Sequence, residues 1–581
     1  MFKDDFKFRL EYIKNGEKLN VSATDSTDFK VEFIKDDNSF KALLTVKGDN
    51  NNHSIDLVNA YIETKYLFED NDKFFGNGYQ SWTTTKEYTK NDMMKDAFPI
   101  TKLPGIKDFV LLFGDYNFQK YYKEPGKVHS YSYTYVKRNG VIDLFGSLTE
   151  RTGYTVFHVD MNGGTGVDNF VIQKDVDGVT LFENETYEIF NLINIKGEYD
   201  EVFDKYFEAL NIKPPKINHL AGYTSWYNYY GKIYEEQIDR DIDGLARIEK
   251  GADIFQIDDG FQDYVGDWNE NDKFAKGMRT LTDKIHGKGY LAGLWMAPFN
   301  ATFKSKVAKE HPEWLIRKRG TNKKEIGVIS WGGGYTLDIY QPGAREHIKS
   351  FFKRVLGDGK GQWNFDLVKL DFLYSECQTP RYNKSRGQIM CEAIDFLREC
   401  VGDKLFLGCG VPLFPAFGKV DACRISCDVA PTYLDKFYNK LTNNEVPSAR
   451  CAMNNTIFRR HLNGRAFVND PDVFYLRNND LNDKYYNRQG KLVFTQEQKE
   501  LLAEVNNMCG DVLFVSDNLG TFDDNQMALA RKYFAKTNRK VIDANFVNNN
   551  QEIEIDYIEE DKKYRLTFGV YTGSRKVEEL K

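Results

Sequence analysis

Two periodicities divide the chain. Up to about residue 200, aromatic and β-branched residues alternate or cluster in short runs, as in Phe29–Phe33 (FKVEF), Ser130–Val136 (SYSYTYV) and Thr155–Asp160 (TVFHVD). Asn-, Asp- and Gly-containing breaks separate these runs, so the region reads as short strands without long amphipathic helices, a β-sandwich. The connector Ile212–Lys216 (IKPPK), with Pro214 and Pro215, marks a boundary. Beyond it eight strand-like runs alternate with helical patterns: Ala221–Trp226, Asp253–Gly260, Leu291–Phe299, Leu367–Phe372, Leu405–Gly410, Ala422–Asp428, Arg465–Asp472 and Asp511–Asp517. Ile238, Ile242, Leu245 and Ala246 share one helical face, and Ala344, Ile348, Phe351, Phe352 and Val355 share another behind Pro342, a residue that suits a helix start. Eight such repeats predict a (β/α)8 TIM barrel. An open doubly wound sheet is the rival, but no G-x-G-x-x-G follows an early strand. Lys540–Phe546, Gln551–Ile558 and Tyr564–Val570 return to a strand rhythm. The expected architecture is therefore multidomain: an N-terminal β-supersandwich over 1–215, a barrel over 216–538 and a small C-terminal β domain over 539–581.

Polar residues collect at the C-terminal ends of the proposed barrel strands, where the βα loops of a barrel converge on its active site. Asp258 and Asp259 end the second strand and Trp295 lies on the third. Asp371 ends the fourth, Cys409 the fifth, Asp428 the sixth, and Asp470 and Asp472 the seventh. Any one Asp is explained as a helix N-cap. A ring of them is not, because strand alternation turns several inward. Lys369 and Asp371 share a face, as do Gln256 with Asp258 and Arg424 with Ser426 and Asp428, whereas Val368, Leu370 and Phe372 take the helix side. An ammonium beside Asp371 favours its ionised form. Carboxylates on strands four and six can face one another across the barrel mouth, the pair that glycoside hydrolysis requires.

Composition narrows the choices. With 79 Lys and Arg against 86 Asp and Glu, the net charge of −7 supplies no basic field for a nucleic acid. Met1–Leu10 (MFKDDFKFRL) is charged where a secretory signal needs an apolar run, and no stretch is long enough to cross a bilayer. All eight cysteines lie between Cys377 and Cys509 without a C-x-x-C pair, which fits reduced thiols, a cytoplasmic location and no structural zinc. His219, His286, His311 and His347 lie away from the strand tips and His461 reads as helix-terminal, so none is given a role. The Asn/Asp/Lys-rich stretch Arg477–Arg488 reads as a solvated loop.

The runs FQIDDGFQ, GLWMAPF, HPEWL, LDIYQPGAREHI, VKLDFLYSE, GCGVPLFPAFGKVDACRISCDVAP and FVNDPDVFYLR, in order over about residues 220–480, resemble glycoside hydrolase family 36, the α-galactosidases of clan D. Gly76–Trp82 (GNGYQSW) resembles that family's N-G-x-Q-S-W segment. The resemblance implies the same three-part architecture and a retaining hydrolase that releases terminal α-linked galactose through a covalent glycosyl-enzyme. It implies Asp371 as nucleophile and Asp428 as general acid/base, with carboxyls roughly 5–5.5 Å apart. By the same resemblance Asp258 and Asp259 hold the 4- and 6-hydroxyls, Lys369 and Arg424 grip neighbouring hydroxyls, and Trp226, Trp295 and Trp82 form aromatic walls. Cys409 flanks the 2-position. Two departures stand out: Cys427 precedes Asp428 where Pro or Gly is common, and is expected to pack outward. Tyr79 replaces a frequent Trp, which bears on the contacts to the leaving group.

The resemblance calls for no cofactor and no metal, and its partner is an oligosaccharide with a terminal α-galactosyl residue. The alternative within the family is an α-N-acetylgalactosaminidase of the same mechanism; transfer to a second sugar is a further one. A Mg²⁺-dependent barrel enzyme is disfavoured by the cations Lys369 and Arg424 inside the ring. A sugar-binding protein without catalysis would not need both Asp371 and Asp428. A homo-oligomer is possible, with Trp82 reaching its own barrel or a neighbour's.

Overall fold

The computed structural model describes residues 6–48, 53–97, 112–164, 167–435, 445–478 and 491–581. From residue 479 on, the Arg477–Arg488 stretch lies outside them.

Two antiparallel seven-stranded sheets form the N-terminal region. One is built around Ser54–Thr64, the other around Thr186–Gly197 and Ser39–Val46. Alternation of buried and partly exposed positions along Ser39–Val46 explains the packing, since Phe40, Ala42, Leu44 and Val46 all turn into a core with Leu10, Phe29, Phe157 and Phe170. The SYSYTYV run is two strands rather than one. Lys127–Tyr131 belongs to the first sheet and Tyr133–Arg138 to the second, and the chain changes sheet at Ser132, whose φ is 65°. The region also holds a helix, Tyr199–Leu210, whose Val202, Phe203, Tyr206 and Phe207 are buried. Its many aromatics read equally well as strand, which is why the pattern hid it.

The eight barrel strands are β1 (Leu220–Thr224), β2 (Ile254–Ile257), β3 (Leu291–Met296), β4 (Leu367–Leu370), β5 (Leu405–Gly408), β6 (Ala422–Arg424), β7 (Val468–Asp470, resumed at Val473–Phe474) and β8 (Val512–Val515). All neighbours pair in parallel. The two pieces of β7 flank Pro471 and Asp472; the first pairs with β6 and the second with β8, so the barrel closes through a broken strand. Proline has no N–H for the ladder, and Asp472 stands at φ 81°, so the break is local and built in. Helices follow the strands at Glu235–Ala246, Met278–Gly287, Pro342–Leu356, Arg386–Val401, Ala449–Phe458, Gln496–Cys509 and Asp524–Phe534; after β5 there is only the short turn Leu413–Ala416. Ile238, Ile242 and Leu245 are buried and Ala246 lies at the rim of its face, while all five apolar residues expected behind Pro342 are buried. A four-stranded antiparallel sheet ends the chain, with Arg575–Leu580 as a strand beyond the three anticipated. Its alternating Lys, Glu and Val are mostly exposed, so no apolar pattern marks it. Among the described residues no helix is long and apolar enough to cross a membrane.

The N-terminal region and the barrel are joined where the site lies. Arg459, fully buried, spends its N–H groups on the Gly76–Trp82 segment and the barrel. Nη1 donates to Ser81 O (2.6 Å) and Ile425 O (2.8 Å), Nη2 to Gln80 O (3.2 Å), and Nε to Asn77 Oδ1 (3.3 Å). A guanidinium without a carboxylate partner tolerates burial only when its fork is filled in this way. Ser81 N–H also donates to Val411 O at 2.9 Å. His461 packs in the same seam, stacked on Phe203 and held by Tyr133 and Tyr199, which gives it a structural place away from the strand tips.

Candidate active site

A cavity of about 240 Å³ opens at the C-terminal ends of the barrel strands. Its walls carry Asp258, Asp259, Asp371, Asp428, Lys369, Trp226, Trp295 and Trp82, eight of the ten residues singled out in the sequence. A larger cavity of about 450 Å³ lies elsewhere, between Tyr88, Arg450 and Phe546. Asp435, the carboxylate on its wall, is already paired with Arg450, so it offers no comparable chemistry.

Strand register builds the inner wall. Trp295 on β3 sits opposite Lys369 on β4. Trp295 Nε1–H donates to Asp371 Oδ2 at 3.1 Å, and the Phe372 N–H donates to Asp371 Oδ1 at 2.8 Å. Burial pushes the Asp371 carboxyl up, against the pull of Lys369, Trp295 and the Cys409 thiol; the nearby Asp428 charge pushes the same way as burial. The ammonium favours the ionised form, as the sequence suggested, but desolvation outweighs it. Lys369 Nζ itself donates to Asp258 Oδ2 at 2.9 Å, an oxygen that also accepts from Gln256 Nε2 at 3.1 Å. Burial alone would lower the Lys369 ammonium, yet the Asp258 charge carries it above its ordinary value. Asp259 is raised to about 6 by burial, opposed by hydrogen bonds from Trp331 and Gln262. Trp331 Nε1–H donates to Asp259 Oδ2 at 2.7 Å.

The opposite wall centres on Arg424. Its Nη1 donates to Asp428 Oδ1 at 2.9 Å, Nη2 lies 2.8 Å from Asp472 Oδ1, and Nε lies 3.4 Å from Asp470 Oδ2. Arg424 is therefore absent from the cavity wall and acts as the clamp behind Asp428. Asp472 also accepts the Val429 N–H (2.7 Å) and the Tyr227 hydroxyl, so it fixes the backbone beside Asp428. Burial raises the Asp472 carboxyl to about 7 despite Arg424. The broken β7 strand is what places it there.

Cys409 likewise stands behind the wall, packed with Trp82, Leu112, Tyr374 and Cys427. Gly410, next to it, has φ 54°, and a Cβ there would lie 3.1 Å from Asp371 Oδ1 and 2.9 Å from the Trp82 ring, which accounts for the second glycine of the G-C-G run. Cys427 is buried in that cluster, its thiol on Ser448 O, and packs as expected. Tyr79 does not approach the cavity: it is core, against Tyr131, Tyr154 and Phe118. Trp82 enters the barrel of its own chain, against Phe372 and Tyr374.

Phe372 departs from the expected alternation. The strand ends at Leu370, Phe372 adopts φ 56°, and its ring turns into the cavity between Trp82 and Trp331 rather than toward the helices. Sequence reasoning also missed Phe113, Ser330, Trp331 and Glu445–Pro447 on the wall. Trp331 comes from a turn at φ 58° in the loop after β3, carried by a small sheet of Asn300–Thr302, Ile326–Val328 and Gly334–Thr336. The Trp-Gly-Gly-Gly run at 331–334 was the available signal.

Comparison with known proteins follows the same lines. The family model described as Melibiase matches residues 224–388, from the end of β1 into the helix after β4. Alpha-galactosidase Mel36A of Lactobacillus acidophilus is 23% identical over 212 residues, covering 34% of this chain and 27% of that protein. Alpha-galactosidase 1 of Pediococcus pentosaceus is 26% identical over 156 residues, or 20% of its length. The matches thus span about a quarter of the curated relatives' length. Among solved structures, an alpha-galactosidase from Thermus thermophilus in complex with p-nitrophenyl alpha-D-galactopyranoside superposes with a TM-score of 0.67 at 21% identity, covering 92% of this chain and 98% of that one. The alpha-galactosidase AgaA from Geobacillus stearothermophilus does so at 0.61 and 11% identity, covering 97% and 78%. The fold is thus a (β/α)8 barrel with an N-terminal β-supersandwich and a C-terminal β domain.

Proposed function

We propose that the protein is a retaining α-galactosidase acting on oligosaccharides with a terminal α-galactosyl residue. The observation that carries the reading is the single cavity holding both Asp371 and Asp428 together with the Asp258–Asp259 pair. Asp371, locked by Trp295 and its own neighbour's N–H, attacks the anomeric carbon while the glycosidic C–O bond breaks. Asp428 gives its proton to the leaving oxygen. Water, deprotonated by Asp428, then attacks the same carbon and frees Asp371. Relatives named as alpha-galactosidases, including structures in complex with stachyose and raffinose, support the choice of sugar and of short oligosaccharides.

Release of 4-nitrophenol from its α-galactoside and its α-N-acetylgalactosaminide, measured side by side, tests the sugar. Turnover of the galactoside alone is expected. A preference for the acetamido sugar would move the protein to the other activity of the family.

Asp258 is the residue whose loss separates binding from fold. Because Lys369 is buried against it, Asp258→Ala would strand an ammonium, at a cost of about 3–5 kcal/mol. Asp258→Asn keeps the shape and, with its amide oxygen in the place of Oδ2, the acceptor for Lys369 and Gln256. We expect kcat/KM to fall by about 10³-fold in a protein that still melts cooperatively, since a site built around a hydroxyl discriminates strongly through that contact. Retained kcat/KM would remove Asp258 from substrate recognition.

A further inference from the structure

Beyond the aspartates at the strand tips, the catalytic cavity is lined by one more carboxyl among the described residues, Glu445. It lies on the loop after β6 that also carries Asp428, and its neighbours Val446 and Pro447 line the same cavity. Thr83 Oγ1 donates to Glu445 Oε1 at 2.8 Å and the Tyr116 hydroxyl to Oε2 at 3.0 Å. Both donors belong to the N-terminal loops that bring Trp82 and Phe113 to the cavity. Gly114 lies so close that a Cβ on it would be 3.1 Å from Oε1.

This placement is costly for a merely structural tie. Beside it the cavity wall is apolar, formed by Trp82, Phe113, Val446 and Pro447, and burial raises the carboxyl to about 7, with the Asp115 charge adding to the rise and hydrogen bonds from Thr83 and Tyr116 opposing it. A glutamine would hold the same two loops without a charge to desolvate. A carboxylate has about four lone-pair sites, and Thr83, Tyr116 and its own backbone N–H leave acceptor capacity on a residue that lines the cavity. Galactose held by Asp258 and Asp259, with its anomeric carbon at Asp371, sends its leaving group toward the wall made by the N-terminal loops. A sugar there presents hydroxyl donors, whereas an aryl group presents none.

We propose that Glu445 is a specificity residue for the leaving group, accepting a hydroxyl hydrogen bond from the sugar that follows the scissile bond. The inference rests on the α-galactosidase reading and adds to it the selection of saccharide over non-saccharide leaving groups. Trp82 and Phe113 supply the apolar surface on which that second ring lies, and Glu445 supplies its polar contact.

The test is the ratio of kcat/KM for melibiose to kcat/KM for 4-nitrophenyl α-galactoside, in wild type, Glu445→Gln and Glu445→Ala, with thermal melting as a check on folding. A hydrogen bond to a charged group predicts that the ratio falls about 10-fold or more in the Ala variant. In the Gln variant, which keeps size and an acceptor for the two loops, it should fall at least about 3-fold. A ratio unchanged in Glu445→Gln, or in a folded Glu445→Ala, would overturn the proposal and leave Glu445 as a tie between loops. If the Ala variant does not fold, the Gln ratio decides. A wild type inert toward both substrates would overturn the function itself, and this inference with it, a result distinct from an active enzyme whose ratio does not respond.

Discussion

Replacing Asp371 by Asn should leave a folded protein whose turnover of 4-nitrophenyl α-galactoside falls by about 10⁴-fold or more. An activated leaving group removes the need for a proton donor but not for a nucleophile, and loss of a covalent nucleophile has effects on that scale. The amide keeps the acceptor for Trp295 Nε1–H, so the aromatic wall should stand. The pH profile of the parent enzyme carries the companion result. Attack requires the ionised carboxylate, and burial raises Asp371 above the ordinary aspartate value near 4 more than Lys369, Trp295 and Cys409 lower it. Activity is therefore present above the raised pKa and lost as pH falls through it, so the acid limb of kcat/KM should lie above about 4. An acid limb below the free aspartate value would show that Lys369, not desolvation, governs the nucleophile.

What could be read from the sequence was what strand and helix periods encode. Inward positions on short parallel strands, such as Lys369 and Gln256, follow from a period of two, and the barrel arranges them as that period demands. The failures begin one or two residues past each strand. Phe372 follows the alternation on paper, but the strand stops at Leu370 and a left-handed turn rotates the ring into the cavity. Arg424 lies on the correct strand and still faces Asp428, Asp470 and Asp472, because Asp470 stands beside it in register on β7 and the break at Pro471–Asp472 adds a third carboxylate, Asp472. No periodic pattern encodes that break. Trp331 and Glu445 stand on loops whose positions depend on contacts distant in sequence, Asp259 for the one and Thr83 and Tyr116 for the other. The family resemblance covered the strand ends, where the motifs lie, and carried no information about these walls.

The same division explains the exposure of the two central carboxyls. Asp371 is 7% exposed and enclosed by Trp295, Cys409 and Gly410, whereas the Asp428 side chain is 37% exposed. A nucleophile benefits from fixed position and exclusion of water. An acid that later serves as a base has to reach both a departing oxygen and an incoming water. Arg424 suits this by holding one oxygen of Asp428 while itself buried among the carboxylates behind the wall.

Asp428→Asn should accordingly divide substrates by their leaving groups. With melibiose, whose departing oxygen is a poor leaving group without a proton, kcat/KM should fall by about 10³-fold, within the range expected for loss of general acid catalysis. With 4-nitrophenyl α-galactoside the first step needs little protonation, so kcat/KM should fall far less, while kcat drops because no base activates the water that releases Asp371. Azide needs no base. Added to the variant, it should raise kcat on the aryl substrate and yield α-galactosyl azide, in which two inversions at the anomeric carbon restore the original configuration. The product distinguishes the roles by geometry rather than by rate. If Asp428 were the nucleophile and Asp371 the acid, azide would replace Asp428 in a single displacement and the product would be the β-azide. Formation of the β-azide in Asp428→Asn would exchange the two assignments, and a uniform loss on both substrates without azide rescue would remove Asp428 from proton transfer.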